Sequence, residues 1–244
     1  MHAIEALFSA LPEIEPYPDG VRSLWDRIPG IAFFPGGAGL WNVSPGHPLP
    51  PMPVRGVMVL GHDFHSEDAF AKSLAAGSEV SLSPTWPALL SLLKVSSIPY
   101  ESCFFTNAYM GLRRGSATMG RFPGSRDAGF RDRCRRFLLR QLSAQKPTLI
   151  LTLGRWVPEF IAPLSRQLQP WAKAKSLLAI DAASPVMSQV QFDGAEAPPC
   201  TVVALTHPCL RGPNVRRRRY GALLGHAAEV AMIRSAVAGL DGVA

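Results

Sequence analysis

Four short, largely apolar runs are the feature that most constrains the fold of this chain. They cover residues 56–61, 102–106, 148–153 and 202–205, and each has the length of a strand rather than of a helix. Segments with the apolar spacing of helices lie between them. Fully apolar strands that alternate with helices are typical of a parallel sheet covered by helices on both faces. We therefore expect an α/β fold, a three-layer α/β/α sandwich with a central, mostly parallel sheet of four strands.

The length and composition fit a single domain. The chain has 244 residues, of which 47% are hydrophobic and 18% charged, so it can bury a large core. Residues 1–54 combine short helical patterns with a segment rich in Gly and Pro, which predicts a wrap around a core that spans residues 55–238. Residues 186–192 alternate weakly and precede an Asp-Gly turn pair, which predicts a short edge hairpin before the last strand.

Two segment boundaries follow from local signals. Ser125 precedes a run with helical apolar spacing and is predicted to be the N-cap of that helix. The four consecutive arginines at 216–219 precede another helical pattern and are predicted to open the final helix.

The positive charge of the chain is concentrated in two stretches. The net charge is +7, and residues 113–140 hold nine Arg against two Asp, while residues 211–219 hold five more Arg. Such local density indicates a polyanionic partner, and we expect DNA, because no basic helix with a lipid-facing side is evident.

The N-terminus lacks a basic region and no apolar run is long enough to span a membrane, so we expect a cytoplasmic protein without membrane contact. We also expect the protein to be a monomer. The four cysteines form no CxxC pair, so no metal or other cofactor is expected.

Polar residues and a glycine follow the apolar runs at the points where the strands should end. Asp63, Asn107, Gly154 and His207 supply a carboxylate, an amide, a position of close approach and an imidazole. In parallel sheets, ligands bind outside the carboxyl ends of the strands. Together these groups predict a pocket that hydrogen-bonds a planar heterocycle and hydrolyses a bond next to it.

The order and spacing of four motifs resemble the uracil-DNA glycosylase superfamily. Residues 61–65 (Gly-His-Asp-Phe-His) resemble its first motif, whose Asp directs water, and residues 104–107 (Phe-Phe-Thr-Asn) resemble the strand ending in the Asn that reads uracil. Residues 151–154 (Leu-Thr-Leu-Gly) look like the third strand with its terminal glycine. Residues 207–214 (His-Pro-Cys-Leu-Arg-Gly-Pro-Asn) are similar to the His-Pro-Ser loop, most of all to that of the single-strand-selective monofunctional branch. The resemblance, over residues 55–238, implies a metal-independent base-excision repair enzyme that hydrolyses the N-glycosidic bond of uracil or a related damaged base in DNA.

The match departs from the family pattern at three positions. Phe64 stands where the first motif has Pro, His65 where the best-studied branch has a Tyr that excludes the methyl group of thymine, and Cys209 where Ser is usual. Phe64 and Trp86 are the candidates for the aromatic residue that stacks on the base. With His62, these side chains complete the expected substrate pocket.

The chemistry of glycosidic hydrolysis assigns roles to the three polar groups. Bond cleavage builds positive charge on the sugar and negative charge on the departing base. An ionised Asp63 can stabilise the sugar cation and orient or deprotonate a water, and His207 can donate a hydrogen bond to a base oxygen. Asn107 presents both an acceptor and a donor, which match the N3–H and O4 edge of uracil and mismatch cytosine.

Extraction of a base from DNA also requires phosphate contacts and a wedge. Leu210 and Arg211 are the predicted wedge. The predicted phosphate contacts are Arg113, Arg114, Arg216, Arg217, Arg218 and Arg219.

Two other functions remain open at this point. A dense set of oxygen and nitrogen donors, formed by His62, Asp63, His65, Glu67 and Asp68, can together with His207 hold a divalent metal in a phosphoesterase. The divergent first motif also fits a non-catalytic nucleic-acid-binding protein of the same fold, since fold does not fix function.

Overall fold

The computed structural model describes residues 3–24, 27–28, 30–41, 48–80 and 82–241. Buried apolar side chains from Ile4 to Ala236 form one hydrophobic cluster. The predicted segments at the N-terminal side are covered only in part, because Trp25 and residues 42–47 of the Gly/Pro-rich segment lie outside the described residues.

A five-stranded sheet occupies the centre of the fold. Its strand order is 3-2-5-7-6 in chain numbering, and all neighbours are parallel except the last pair. The expected α/β fold is confirmed, with one strand more than the predicted four, because the edge hairpin adds its first strand to the sheet. The strands are β1 (Val21–Arg22), β2 (Val57–Gly61), β3 (Cys103–Asn107), β4 (Leu112–Arg113), β5 (Leu149–Leu153), β6 (Val186–Val190), β7 (Cys200–Leu205), β8 (Arg219–Tyr220) and β9 (Leu223–Leu224).

Helices flank this sheet, in agreement with the expected three layers. Every residue of β2, β3, β5 and β7 is buried, which explains why these strands show no alternation in the sequence. No helix in the described ranges is long and apolar enough to cross a membrane. The helices are α1 (Ala3–Ala10), α2 (Glu67–Ala76), α3 (Thr85–Val95), α4 (Ala128–Gln145), α5 (Trp156–Ile161), α6 (Gln169–Ala172), α7 (Leu177–Ala183), α8 (Arg211–Asn214) and α9 (Gly225–Asp241).

Three local predictions are wrong. The N-cap of α4 is Asp127, whose carboxylate accepts the Phe130 backbone N–H at 2.6 Å, while Ser125 lies in the preceding 3-10 turn and donates to the Phe122 carbonyl. The arginine run does not open α9, because β8 and β9 form a hairpin between them. The short helical patterns predicted within residues 1–54 do not include a helix at Val21–Arg22, since these two residues form a strand that pairs with β4.

The N-terminal wrap covers one edge of the sheet. β3 is an edge strand, and residues 30–41 run alongside it. The Phe34 N–H donates to the Phe105 carbonyl at 2.9 Å, and the Phe105 N–H donates to the Gly39 carbonyl at 3.1 Å. The backbone N–H and C=O groups of Phe105, at the centre of β3, are therefore paired by the N-terminal segment.

Candidate functional site

A cavity of about 600 Å³, called the main cavity here, opens at the carboxyl ends of the strands. Asp63 follows β2, Gly154 follows β5 and His207 follows β7, and all three line it. A smaller inner recess of about 30 Å³ adjoins it and shares Asp63 and His207 with it, and Asn107 at the end of β3 lines this recess. The predicted convergence of the carboxylate, the amide and the imidazole on one edge of the sheet is therefore found.

Asn107 lies in the inner recess because Gly61 leaves room for it. The two residues are register partners in β2 and β3, and a Cβ atom at Gly61 would lie only 2.1 Å from the Asn107 Oδ1. Asn107 is 4% exposed, and its side-chain amide has no hydrogen-bond partner within the described part of the chain. Because the Asn107 side chain lines the recess, its amide donor and acceptor are available to the edge of a ligand there.

Asp63 is held by four donors. Arg113 donates from Nε to Oδ1 at 3.1 Å and from Nη2 to Oδ2 at 2.8 Å. The His62 Nδ1 lies 2.8 Å from Oδ2, and the His65 backbone N–H donates to Oδ1 at 3.1 Å. Burial on its own raises the pKa of Asp63, but hydrogen bonds and charge from His62 and Arg113 outweigh it and hold the pKa well below its usual range. Asp63 is therefore ionised, with all of its roughly four acceptor positions in use.

Arg113 is a partner of this carboxylate rather than a phosphate contact. It is 4% exposed, and its guanidinium also donates to the carbonyls of Met119, Gly120 and Arg121. The assignment of Arg113 to the DNA-binding set is wrong for the structure as it stands, because no face of the group is free for a phosphate. The chain separation of fifty residues explains why sequence reasoning missed the pair.

His207 is a neutral imidazole at the wall shared by the main cavity and the inner recess. Burial first, and then the charges of His65 and His62, lower the pKa of His207 from 6.5 to about 4, against the opposing charge of Asp63. Its Nδ1 lies 3.0 Å from the Cys209 Sγ. Burial raises the pKa of the Cys209 thiol, so the thiol keeps its proton. When this S–H donates to Nδ1, the ring hydrogen of neutral His207 is on Nε2.

This shift predicts a pH-dependent loss of stability. Between pH 6.5 and about 4 the unfolded chain binds a proton at His207 and the folded chain does not, so the free energy of unfolding falls as the pH falls. His207→Asn removes this contribution. In urea denaturation at pH 7 and pH 4.5, we expect the variant to lose less stability on acidification than the wild type. Equal losses in the two proteins would contradict the burial of a neutral His207.

Gly154 supports the position of His207. Its φ is +84°, in the left-handed region that favours glycine, and an added Cβ would lie 3.2 Å from the His207 Cβ. Its N–H donates to the Leu205 carbonyl at 2.8 Å, which ties β5 to the end of β7.

Gly154→Ala is expected to lower the free energy of unfolding by about 1–3 kcal/mol, because it adds backbone strain and a contact with His207. Gly120→Ala is the matched control, since Gly120 has a φ of +86° and no atom within 4 Å of an added Cβ. Urea denaturation of both variants measures the difference. A loss no larger at Gly154 than at Gly120 would remove the contact with His207 from the explanation.

The remaining predicted pocket residues take different positions. His62 and His65 line the main cavity, and His65 has a φ of +63°, which is uncommon outside glycine. Phe64 lines both the main cavity and the inner recess. Trp86 is fully buried against Phe33, Trp41 and Phe105, and reaches only the recess, so Phe64 is the better placed of the two aromatic candidates.

Glu79 is a site residue that sequence reasoning missed. It lines both the main cavity and the inner recess, and its Oε2 accepts the Trp86 indole N–H at 3.3 Å. Burial raises the pKa of Glu79, against the opposing influence of His65 and of the hydrogen bond from Trp86. Glu79 lies in a short segment between α2 and α3 without periodicity, so its only sequence signal was an isolated carboxylate among Ser, Val and Leu residues.

Two of the predicted DNA-binding arginines are buried in an ion network instead. Glu229 of α9 is fully buried and accepts hydrogen bonds from Arg211, Arg218 and the Thr206 backbone N–H. Arg218 also pairs with Asp181 and donates to the Ala204 carbonyl. The predictions that Arg211 is part of the wedge and that Arg218 contacts phosphate are therefore wrong, because both side chains are buried and bound to carboxylates of the protein.

The other predicted basic residues are exposed. Arg114, Arg216, Arg217 and Arg219 lie at the surface, and Leu210 is 36% exposed at the wall of the main cavity. Lys72 and Arg155, which sequence reasoning did not single out, also line this cavity and are exposed. The cavity therefore has basic residues at its opening and the carboxylate of Asp63 at its base.

The histidine and acid cluster after β2 does not have the arrangement of a metal centre. Within the described ranges, no three His, Cys, Asp or Glu side chains are grouped so as to hold a metal ion. Asp63 and His62 are paired with each other, and Glu67 pairs with Arg22.

No protein-family model matches the chain, and no curated protein matches its sequence.

Proposed function

We propose that this chain is a DNA glycosylase that removes uracil or a related damaged base by metal-independent hydrolysis of the N-glycosidic bond. The single observation that carries the proposal is the convergence of Asp63, Asn107 and His207 on adjoining cavities at the carboxyl edge of the sheet. A negative charge that stabilises the sugar cation, an amide that recognises the base and a hydrogen-bond donor to the departing base then lie close together. We further propose that the protein acts on DNA as a cytoplasmic monomer.

Asp63 acts in this proposal as a fixed negative charge. The resemblance implied that it directs water, but each of its oxygens already accepts two hydrogen bonds. Its ionised state suits the stabilisation of a sugar that becomes positive as the bond to the base breaks. Water then adds its hydroxyl to the sugar carbon, and its proton neutralises the departing base. A direct contact between Asp63 and this water requires that Arg113 or His62 moves.

His207 and Asn107 act on the base. The neutral His207 donates from Nε2 to a base oxygen as negative charge develops there, and donors of this kind contribute more in a site that excludes water. Asn107 pairs with the edge of the base. The inner recess, at about 30 Å³, has room for a water but not for a ring. The base therefore lies in the main cavity with its edge towards Asn107, or the recess widens on binding.

The basic surface supplies the phosphate contacts. Arg114, Arg216, Arg217 and Arg219 are exposed, as are Lys72 and Arg155 at the main cavity. Leu210 is the remaining wedge candidate, because it is exposed at the cavity wall.

Incubation with uracil-containing single- and double-stranded DNA, followed by alkali cleavage, tests the activity. We expect alkali-labile abasic sites, formed equally in the presence of excess EDTA. A set of substrates with other modified bases identifies the preferred one. Loss of activity with EDTA would favour the metal-dependent phosphoesterase, and binding without abasic sites would favour a non-catalytic protein.

Asn107→Asp is expected to lower uracil removal by about 100-fold and to reduce discrimination against cytosine, because the amide donor to the base is lost. The same cleavage assay on paired uracil and cytosine substrates measures the ratio of rates. Thermal melting of the variant checks that the buried position still folds. An unchanged ratio would remove Asn107 from base recognition.

The second candidate is a non-catalytic nucleic-acid-binding protein. The bidentate Arg113–Asp63 pair favours it, because a carboxylate with no free acceptor position also serves a purely structural purpose.

A further inference from the structure

A second cavity of about 340 Å³ lies beside the main cavity and is called the arginine cavity here. The two cavities have only His62 and Trp156 in common among their lining residues, so these two side chains form the wall between them. Arg121, Arg131 and Arg135 line the arginine cavity. We propose that it is a binding site for a phosphate group, and this inference does not depend on the glycosylase activity.

The charge of the arginine cavity favours an anion. Arg121, Arg131 and Arg135 face a single lining carboxylate, Glu159, which pairs with Arg121. Among the lining residues, two guanidiniums are therefore in excess of the carboxylates. Arg131 and Arg135 are one turn apart on α4, where like charges repel each other, and an anion between them removes that repulsion. Asp132 also pairs with Arg135, but it does not line the cavity.

The guanidiniums are anchored and still have free donors. The Arg131 Nη1 donates to the Ser125 carbonyl at 3.0 Å, and the Arg135 Nε donates to the Phe160 carbonyl at 3.0 Å. The Arg135 Nη2 and most N–H groups of Arg131 have no partner within the described part of the chain. Backbone anchors of this kind fix the direction of a guanidinium, so that little side-chain entropy is lost when its remaining donors bind an oxyanion.

Tyr109 is an independent observation at the same place. It is 4% exposed and lines the arginine cavity, with its ring stacked on Phe122 at a centroid distance of 5.0 Å. Its hydroxyl has no hydrogen-bond partner among the described residues. Burial raises the pKa of Tyr109 to about 12 and the charge of Cys134 adds to the shift, while the charges of Arg135, Arg131 and Arg121 oppose it. The hydroxyl is thus a protonated donor without an acceptor.

A phosphate group matches this donor set better than a carboxylate does. Two guanidiniums, a phenol and an imidazole need several acceptor oxygens at different angles, and a phosphate presents three or four. His62 is the imidazole, because its Nδ1 bonds Asp63 and its other ring nitrogen has no partner in the described ranges. A phosphate here would therefore be linked through His62 to the carboxylate in the main cavity. Its source is either a free phosphate compound or a phosphodiester of a nucleic-acid backbone.

Titration of the full chain with inorganic phosphate by calorimetry tests the site. We expect one saturable site in the wild type, binding about tenfold weaker in Arg131→Gln and severalfold weaker in Tyr109→Phe. Arg136→Gln is the matched control, because Arg136 is exposed on the same helix and does not line the cavity. We expect it to bind phosphate as the wild type does.

The outcomes that overturn the proposal are the absence of saturable phosphate binding, or an equal loss in Arg131→Gln and Arg136→Gln. Tyr109→Phe keeps the ring packing, so it decides the question if melting shows that Arg131→Gln does not fold. A single-stranded oligonucleotide without uracil separates the two sources. If phosphate competes with the oligonucleotide, and the salt dependence of oligonucleotide binding has a slope smaller by about one in Arg131→Gln, the site binds a backbone phosphate. If the site binds phosphate but Arg131→Gln leaves the affinity for the oligonucleotide unchanged, the ligand of the site is a free phosphate compound.

Discussion

Glu229→Gln is expected to lower the free energy of unfolding by about 3–5 kcal/mol, the largest effect on stability of any single change considered for this protein. Glu229 is fully buried and neutralises both Arg211 and Arg218, while it also accepts the Thr206 N–H. An amide at this position carries no charge and keeps only part of the acceptor capacity. Arg218 then keeps Asp181 as its carboxylate partner, while Arg211 loses the carboxylate with which it pairs. For a chain of this size the melting temperature is expected to fall by roughly 10 °C.

Thermal and urea denaturation of the variant measure this effect. Glu196→Gln is the matched control, because Glu196 is exposed and its side chain has no partner in the described ranges. We expect the control to melt within about 2 °C of the wild type. A loss below 1 kcal/mol in Glu229→Gln would show that water reaches the two guanidiniums and that the network is not a buried one.

Asp63→Asn is expected to lower abasic-site formation by about 100-fold to 10,000-fold, because the variant loses the negative charge that faces the sugar cation. The affinity for DNA is expected to stay the same or to rise, since the change removes a negative charge from a site that binds a polyanion. Single-turnover cleavage and fluorescence anisotropy measure the two quantities separately.

The ion pair with Arg113 makes a structural control necessary. Arg113→Gln breaks the same pair but keeps the carboxylate, so it isolates the loss of structure from the loss of charge. We expect both variants to lose stability and only Asp63→Asn to lose most of its activity. Full activity in Asp63→Asn would overturn the mechanism. Equal activity losses that follow the stability losses would favour the non-catalytic protein.

The fold followed from patterns that are local in the sequence. The apolar runs that became β2, β3, β5 and β7 are buried on both faces, which is typical of parallel strands between layers of helices. The edge hairpin through β6 was also predicted, from alternation and a turn pair. Parallel strands end at the same edge, so the meeting of Asp63, Asn107 and His207 could be predicted as well.

The partners of charged residues could not be predicted, because they come from distant parts of the chain. Arg113 pairs with Asp63, and Arg218 pairs with Asp181 and Glu229. In the sequence each arginine stands in a basic stretch, where a solvated or DNA-facing side chain is the usual expectation. The helix cap at Asp127 was missed for a smaller reason, since Ser125 and Asp127 are both good N-caps and lie two residues apart.

The pairing of the N-terminal segment with β3 has a consequence for the behaviour of shortened forms of the protein. An uncovered strand at the edge of a sheet is a template for pairing with other chains, and β3 is buried along its whole length in the intact protein. A fragment that starts at residue 55 would retain every residue that lines the main cavity, but its β3 strand would be an exposed, unpaired edge strand. We expect such a fragment to aggregate, which implies that the N-terminal segment keeps the intact protein from aggregating through β3.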